Sequence, residues 1–318
     1  MSDTTAITLE NGDTDLRSLR SHGIRGLGWT PDFPDIRDHT LSTPSVAHVL
    51  GPTATPLKAA PAQVDLEAGF SPVEDQGPIG SCCAQAGGGL LEYYERAALG
   101  RHVDVSQLFL YKVTRKLLGW TGDTGAYLRT TMKAMALFGV PPAEHYPYLI
   151  QRYDAEPDAF IYALAQNWQA IQYYRLDPTS NERVREADRA REAGESEALV
   201  SIGSQALANL KARLVLRQPA MFGFTVYSSM PQVTTTGIIP YPRPGDRVVG
   251  GHAVIAMGYD DAKVIDGVPG AIKIRNSWGV NWGQRGYGWI PYSYFTTRLA
   301  QDIWSLVRSE YIDLAPFA

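Results

Sequence analysis

Apolar residues recur at three- and four-residue intervals through the middle of the chain, and past Ala220 they condense into short runs separated by Gly, Pro or Asp. The first spacing is that of helices with one buried face, the second that of strands. A helix is predicted over 82–99, where Ala86, Leu90, Leu91, Tyr94, Ala97 and Ala98 follow helical spacing and Gly100 marks the stop. Further helices are predicted over 106–117, over 126–138 ending at Gly139, and over 205–217. Strands are predicted over 220–226, 252–259, 271–275 and 287–290. Gly87, Gly88 and Gly89 lie inside the first helix, where each costs about 1 kcal/mol relative to Ala. A helix tolerates that where neighbours must approach its backbone, so the three read as a packing seam. Helices first and strands second give the α+β class, with two segregated lobes.

Organisation follows from where this patterning starts. Residues 1–62 read as an N-terminal extension rich in Asp, Pro, Thr and Ser, with a linker marked by Pro52, Pro56 and Pro61. Within it, Gly26–Asp38 carries Trp29, Phe33 and Ile36, which are costly to leave in water, so the segment is expected to lie extended against the body. Simple packing is the favoured use of Trp29 and Phe33, with a plug over the cleft as the competing one. The body is read as 63–318, with a helical lobe over about 63–165 and a β lobe over about 166–318. A charged stretch over 177–204 has a thin apolar face and reads as a solvated insertion, partly disordered.

Composition narrows the classes of function. The 318 residues include 44% hydrophobic and 19% charged positions, and the net charge is −4. That balance argues against a nucleic-acid or membrane footprint. No run of 18 or more apolar residues occurs, and the first twenty residues lack the basic and apolar regions of a secretory signal. The expectation is a cytoplasmic protein, with export by a route independent of such a signal left open. The only cysteines are the adjacent Cys82 and Cys83. Neighbours are geometrically strained as a disulfide, so no disulfide framework is expected. No close Cys/His spacing suits a metal; neither a metal nor a cofactor is expected.

Three stretches carry chemistry. Gln76-Gly77-Pro78-Ile79-Gly80-Ser81-Cys82 is a Gly-rich turn that delivers a thiol to the first turn of a helix. There the unpaired N–H groups and the helix dipole favour the thiolate. A loop folding back would bring the Gln76 amide beside that thiol, to form an oxyanion hole with the Cys82 N–H. Gly250-Gly251-His252 opens an apolar strand with a His exposed on one side, as suits a base facing a cleft. Arg275-Asn276-Ser277-Trp278-Gly279 places an Asn at a strand end, able to fix the tautomer of an imidazole, with Trp278 to shield the contact.

The order Gln, Cys, His, Asn and the contexts QG..GSC, GGHAV..MGY and NSWG..WG..GYGWI resemble the papain-like cysteine peptidases, over roughly Val64–Tyr294. Weaker pieces are Gly122–Gly139, the Glu144–Tyr148 run EHYPY, and Phe222–Tyr227. The GLGWxPDxPDxRD segment is similar to that of the bacterial, disulfide-poor xylellain branch. The resemblance implies a two-lobe fold, with a helical N-terminal lobe, a β-barrel-like C-terminal lobe and a cleft between them. It implies Cys82 as nucleophile, His252 as general base and then acid, Asn276 as orienter and Gln76 as oxyanion-hole donor. Gly125 and Ala126 would bind substrate as an added strand. Tyr127 and Ala253 would line the pocket for the residue two before the cleaved bond. Trp278 would shield His252, and Trp282 would line the leaving-group side.

The chain departs from the family at three places. Cys83 stands where an aromatic residue is usual, Ile79 where the family has a half-cystine, and Gly125-Ala126 where it has two glycines. Cys82 and His252 are 170 residues apart, against about 130–150 in the family; the charged stretch accounts for the excess. Cys83 itself reads as a small buried hydrophobe that helix geometry turns away from Cys82. His22, His39, His48, His102 and His145 read as structural.

The function read from these residues is hydrolysis of peptide bonds in a peptide or protein substrate through a Cys82 thioester. The alternative is a catalytically altered relative, acting as acyltransferase, deamidase or peptide-binding module. The chain's own N-terminal segment is a further candidate partner of the cleft, packed near it as the family's propeptides are.

Overall fold

Three consecutive helical glycines set how closely the two halves of this protein meet. The structure, a computed structural model, describes residues 25–50, 60–177, 196–230 and 233–311. Its helices are α1 (Pro44–Leu50), α2 (Cys82–Leu99), α3 (Gln107–Leu117), α4 (Leu128–Phe138), α5 (Ala159–Ala165), α6 (Ser196–Val215), α7 (Val233–Thr236) and α8 (Tyr292–Thr296). A Cβ on Gly87 would come 3.0 Å from Thr131 of α4, one on Gly88 would come 2.9 Å from Gln107 of α3, and one on Gly89 would run into Arg275. The glycine seam is therefore real: it lets two helices and the sheet close on α2. Gly100 ends α2 in the left-handed region at φ 70°, its N–H donating to Arg96 O. Ser106 caps α3 by accepting from Phe109 N at 3.1 Å.

The strands are β1 (Gln63–Asp65), β2 (Trp168–Arg175), β3 (Ala220–Tyr227), β4 (Val248–Ile265), β5 (Val268–Arg275), β6 (Tyr287–Pro291) and β7 (Ala300–Tyr311). They form one antiparallel sheet in the order β2-β7-β3-β4-β5-β6, with β1 added to β4. The four expected strands are present. β4 runs well beyond its expected ends because its glycine-flanked start and its Asp-rich end still pair with β3 and β5. The mixed α+β architecture stands as read.

Three expectations need correction. Residues 196–204 are helical, as the start of α6, where partial disorder was expected, and Asp177 is pinned to β7: its carboxylate accepts from Asp302 N at 2.6 Å and Ile303 N at 2.5 Å. The rest of that stretch, 178–195, lies outside the described residues, as do 1–24 and 51–59 of the extension. The predicted start of α4 at Ala126 is two residues early, because Ala126 makes a strand-like bridge with Trp29 and Tyr127 is the N-cap. Within the extension, Trp29 is buried, but Phe33 and Ile36 are 79% and 82% exposed.

Candidate active site

Cys82 begins α2, at the seam between the helices and the sheet, and is fully buried. His252 comes from β4 and Asn276 from the end of β5, so two adjacent strands present the pair. His252 Nε2 lies 2.7 Å from Asn276 Oδ1. An Asn oxygen can only accept, so Nε2 carries the proton and Nδ1 is left for the thiol. The Trp278 ring covers His252 at 4.5 Å between centroids, and Phe224 meets it edge-on at 5.8 Å. Asn276 Oδ1 also accepts from Ser277 N at 2.8 Å, which fixes the amide's orientation.

Burial on its own would push the Cys82 thiol up. A hydrogen bond from Cys83, the hydrogen bond and charge of His252, and the Ala253 N–H outweigh it and hold the thiol well below its usual range. Cys83 is therefore not turned away from Cys82. At the helix start Cys83 lies near enough to influence the Cys82 thiol, and its single S–H is shared with Ala126 O at 3.2 Å. The Cys83 thiol is itself pushed well up, by burial first and then by the neighbouring Cys82 sulfur. Both cysteines are free.

Gln76 is buried with its amide fully engaged. Nε2 donates to Ile79 O and to Gly26 O, each at 2.8 Å, and Oε1 accepts from Ser277 Oγ at 2.7 Å. The Gly26 carbonyl belongs to the N-terminal extension, which threads between the lobes as a strap. Gly26 N donates to Gly77 O at 3.2 Å, Gly28 N and Trp29 N both donate to Gly251 O at 3.1 Å, and Gly28 O accepts from Ala126 N at 2.7 Å. Trp29 and Ala126 form a parallel bridge. Gly125, at φ 73°, turns the chain so that Ala126 can pair in this way. Tyr127 packs against Trp120 at 5.3 Å with the rings tilted by 51°, and Trp282 is buried edge-on against Trp278 at 5.7 Å. Ala253 is buried and contributes its backbone N–H to the thiol.

The strap is held beyond the cleft by ion pairs. Arg129 pairs with Asp32 and Asp38, and Arg175 with Asp38 at 3.4 Å and Asp302 at 3.3 Å. Trp29 Nε1 donates to Asp302 Oδ2 at 3.2 Å. No local pattern singles out Asp302 or Gly223, which lies flat under the Trp29 ring. The two glycines before Trp29 were the available signal for a strap, since a Cβ on either Gly26 or Gly28 would overlap the Ile79 or Gly80 carbonyl.

One acidic group elsewhere has metal-like spacing. Ligand atoms of Glu92, His102 and Asp104 lie within 4.8 Å of one another. The Glu92 oxygens are already committed to Ser71 Oγ at 2.5 Å, Val105 N at 3.2 Å and Gln107 Nε2 at 3.3 Å, so Glu92 is the centre of a buried hydrogen-bond node, with His102 and Asp104 exposed beside it. No described helix is long and apolar enough to cross a membrane.

Residues 60–303 match the model of the papain family cysteine proteases. The crystal structure of xylellain, a cysteine protease from Xylella fastidiosa, superposes with a TM-score of 0.67 at 30% identity, covering 91% of this chain and 97% of that one. An uncharacterised peptidase C1-like protein of Acanthamoeba polyphaga mimivirus is 29% identical over 235 residues, 72% of this chain and 68% of its own length. Cathepsin K of Gallus gallus is 29% identical over 232 residues; they are 72% of this chain but span only 58% of that protein.

Proposed function

The chain belongs to the papain family of cysteine proteases, and from that premise we propose that it is an endopeptidase whose nucleophile is Cys82, with His252 and Asn276 as its acid–base pair. The observation that carries this reading is the buried thiol held well below its usual range beside an imidazole whose other nitrogen is fixed by Asn276. The Cys82 thiolate attacks the substrate carbonyl carbon, and the carbonyl π pair moves onto oxygen. Gln76 Nε2 and the Cys82 N–H meet that oxyanion. The tetrahedral adduct collapses, the C–N bond breaks, and His252 gives its Nδ1 proton to the departing amine. A water then gives its proton to His252 and attacks the thioester. The acid leaves and the thiolate returns.

Backbone pairing with Gly125-Ala126 and Gly251 would hold the substrate as an extended strand. In this chain the strap makes those bonds, and the Gly26 carbonyl takes the Gln76 amide. Both facts support a second element of the reading: the strap keeps the enzyme latent. A peptide-library cleavage profile comparing wild type, Cys82→Ala and a strap-released variant tests the proposal. Cleavage that rises on release and vanishes with Cys82→Ala is expected; cleavage that survives Cys82→Ala overturns it.

A further inference from the structure

The proposed reaction needs two pieces of backbone on the helical side of the cleft: the Gln76–Cys82 turn, which carries the oxyanion donors, and the Gly125-Ala126 pair, which holds the substrate chain. They are about fifty residues apart in sequence, and one carboxylate joins them. Asp123 Oδ1 accepts from Gly80 N at 2.8 Å and from the Tyr111 hydroxyl at 2.6 Å. The Tyr111 oxygen in turn accepts from Gly125 N at 3.1 Å. Each end of this relay is well braced. Tyr148 closes the turn on itself, its hydroxyl donating to Gln76 O at 2.9 Å and lying 2.6 Å from Ser81 Oγ, so the turn moves as a unit. Tyr111 is fully buried under the Arg115 guanidinium, 4.0 Å from its ring centroid, and Arg115 also donates to Gly122 O. Burial, and then Asp123, push the Tyr111 hydroxyl well above its usual range. It therefore stays protonated, donating to Asp123 while it accepts from Gly125. No disulfide shares the task, since both cysteines are free. The strap bridges the same two edges, through Gly26 N to Gly77 O and Ala126 N to Gly28 O. When the strap leaves, the Asp123 relay still joins them.

We propose that Asp123 is a positioning residue, which with Tyr111 as its relay sets the spacing between the oxyanion turn and the backbone that holds the substrate. The proposal rests on the peptidase reading above. The two arms of the relay have different kinetic consequences. The Gly80 arm places donors for an oxyanion that forms only in the transition state, so its loss lowers kcat. The Gly125 arm places backbone that binds substrate and transition state alike, so its loss raises KM. A carboxylate that only completed a surface turn would change stability and leave both constants alone.

The test uses the full-length chain carrying Gly28→Ala, which displaces the strap, as the parent, with one fluorogenic peptide and active sites counted by epoxide titration. Asp123→Ala should lower kcat roughly tenfold and also raise KM, as expected for small misplacements of the reacting groups. Tyr111→Phe leaves the Asp123–Gly80 bond in place and should raise KM with kcat within about twofold of the parent. Asp123→Asn keeps an acceptor oxygen and should recover most of the kcat that Asp123→Ala loses. Unchanged kcat and KM in Asp123→Ala overturn the proposal, as does a kcat loss in Tyr111→Phe equal to that in Asp123→Ala; either leaves the peptidase reading intact. Should Asp123→Ala fail to fold, Tyr111→Phe decides alone, and a KM equal to the parent's overturns the relay. If the parent cleaves no peptide, the peptidase reading fails. The relay is then decided by amide hydrogen exchange: faster exchange at Gly80 and Gly125 in Asp123→Ala supports it, and unchanged exchange at either overturns it.

Discussion

His252 and Asn276 stand 2.7 Å apart on neighbouring strands, with the Trp278 indole lying over His252. The bond fixes more than a tautomer. It sets the ring plane so that Nδ1 faces α2, and the tryptophan keeps water from competing for it. Asn276→Ala should therefore lower kcat with little change in KM, by roughly tenfold to a hundredfold for a lost buried hydrogen bond. Steady-state kinetics on the strap-released enzyme check it. An unchanged kcat would remove Asn276 from the site.

The Cys83 S–H, shared between Ala126 O at 3.2 Å and the Cys82 sulfur, contributes to holding that thiol low. Removing the donor raises the Cys82 pKa, because the thiolate loses its partner while burial still disfavours charge. Cys83→Ala should shift the alkylation midpoint of Cys82 upward. Cys83→Ser keeps a donor and should move it less. The pH dependence of iodoacetamide labelling in the strap-released chain measures both. An identical midpoint in wild type and Cys83→Ala would show that the contact has no electrostatic consequence.

How much of this was legible in the sequence varies with the range of the interaction. The local features came through: the α2 periodicity, the glycine seam and the glycine-flanked His252 are all written within a few residues. β2 and β7 did not. Trp168–Arg175 and Ala300–Tyr311 intersperse polar and charged residues among their apolar ones, and their pairing is set by partners far along the chain. Arg175 is buried because Asp38, Asp177 and Asp302 converge on it from three segments. Asp302 depends on a partner 273 positions away, and no spacing rule reaches that far. Cys83 was misread because adjacent helical side chains diverge along a regular helix, whereas these two sit at its first turn beside Ala126.

The strap passes so close to the helical lobe that its backbone touches the Pro78–Gly80 turn. A Cβ on Gly28 would overlap the Gly80 carbonyl, and both partners are backbone, which cannot rotate away. Gly28→Ala should displace the strap and raise the rate of epoxide labelling at Cys82 in the full-length chain by about tenfold or more, since even 1.4 kcal/mol shifts the closed–open equilibrium that far. Mass spectrometry of the labelled protein reads the rate. Labelling at the wild-type rate would mean that the strap does not limit access to Cys82.

Glu95 on α2 is enclosed, and neither carboxylate oxygen has a hydrogen-bond partner. Burial, and then the charge of Glu92, push its carboxyl up to about 8; the same desolvation raises Glu74 to about 8 and Glu92 to about 7. A carboxyl raised in the folded state binds its proton more tightly there than in the unfolded chain. Its stabilising contribution is complete below the unfolded value near 4.5 and is lost as pH climbs through the folded value near 8. Tm should accordingly fall between pH 5 and pH 8.5. Glu95→Gln keeps the shape and stays neutral throughout, so the variant should gain stability over wild type at pH 8.5 and lose that advantage at pH 5. A gain on the order of 2 kcal/mol would appear as a shift of about 4–8 °C. Calorimetry at the two pH values decides it. A Glu95→Gln difference independent of pH would mean that Glu95 remains protonated across the range or reaches water, and the raised carboxyl would no longer explain any pH sensitivity of the fold.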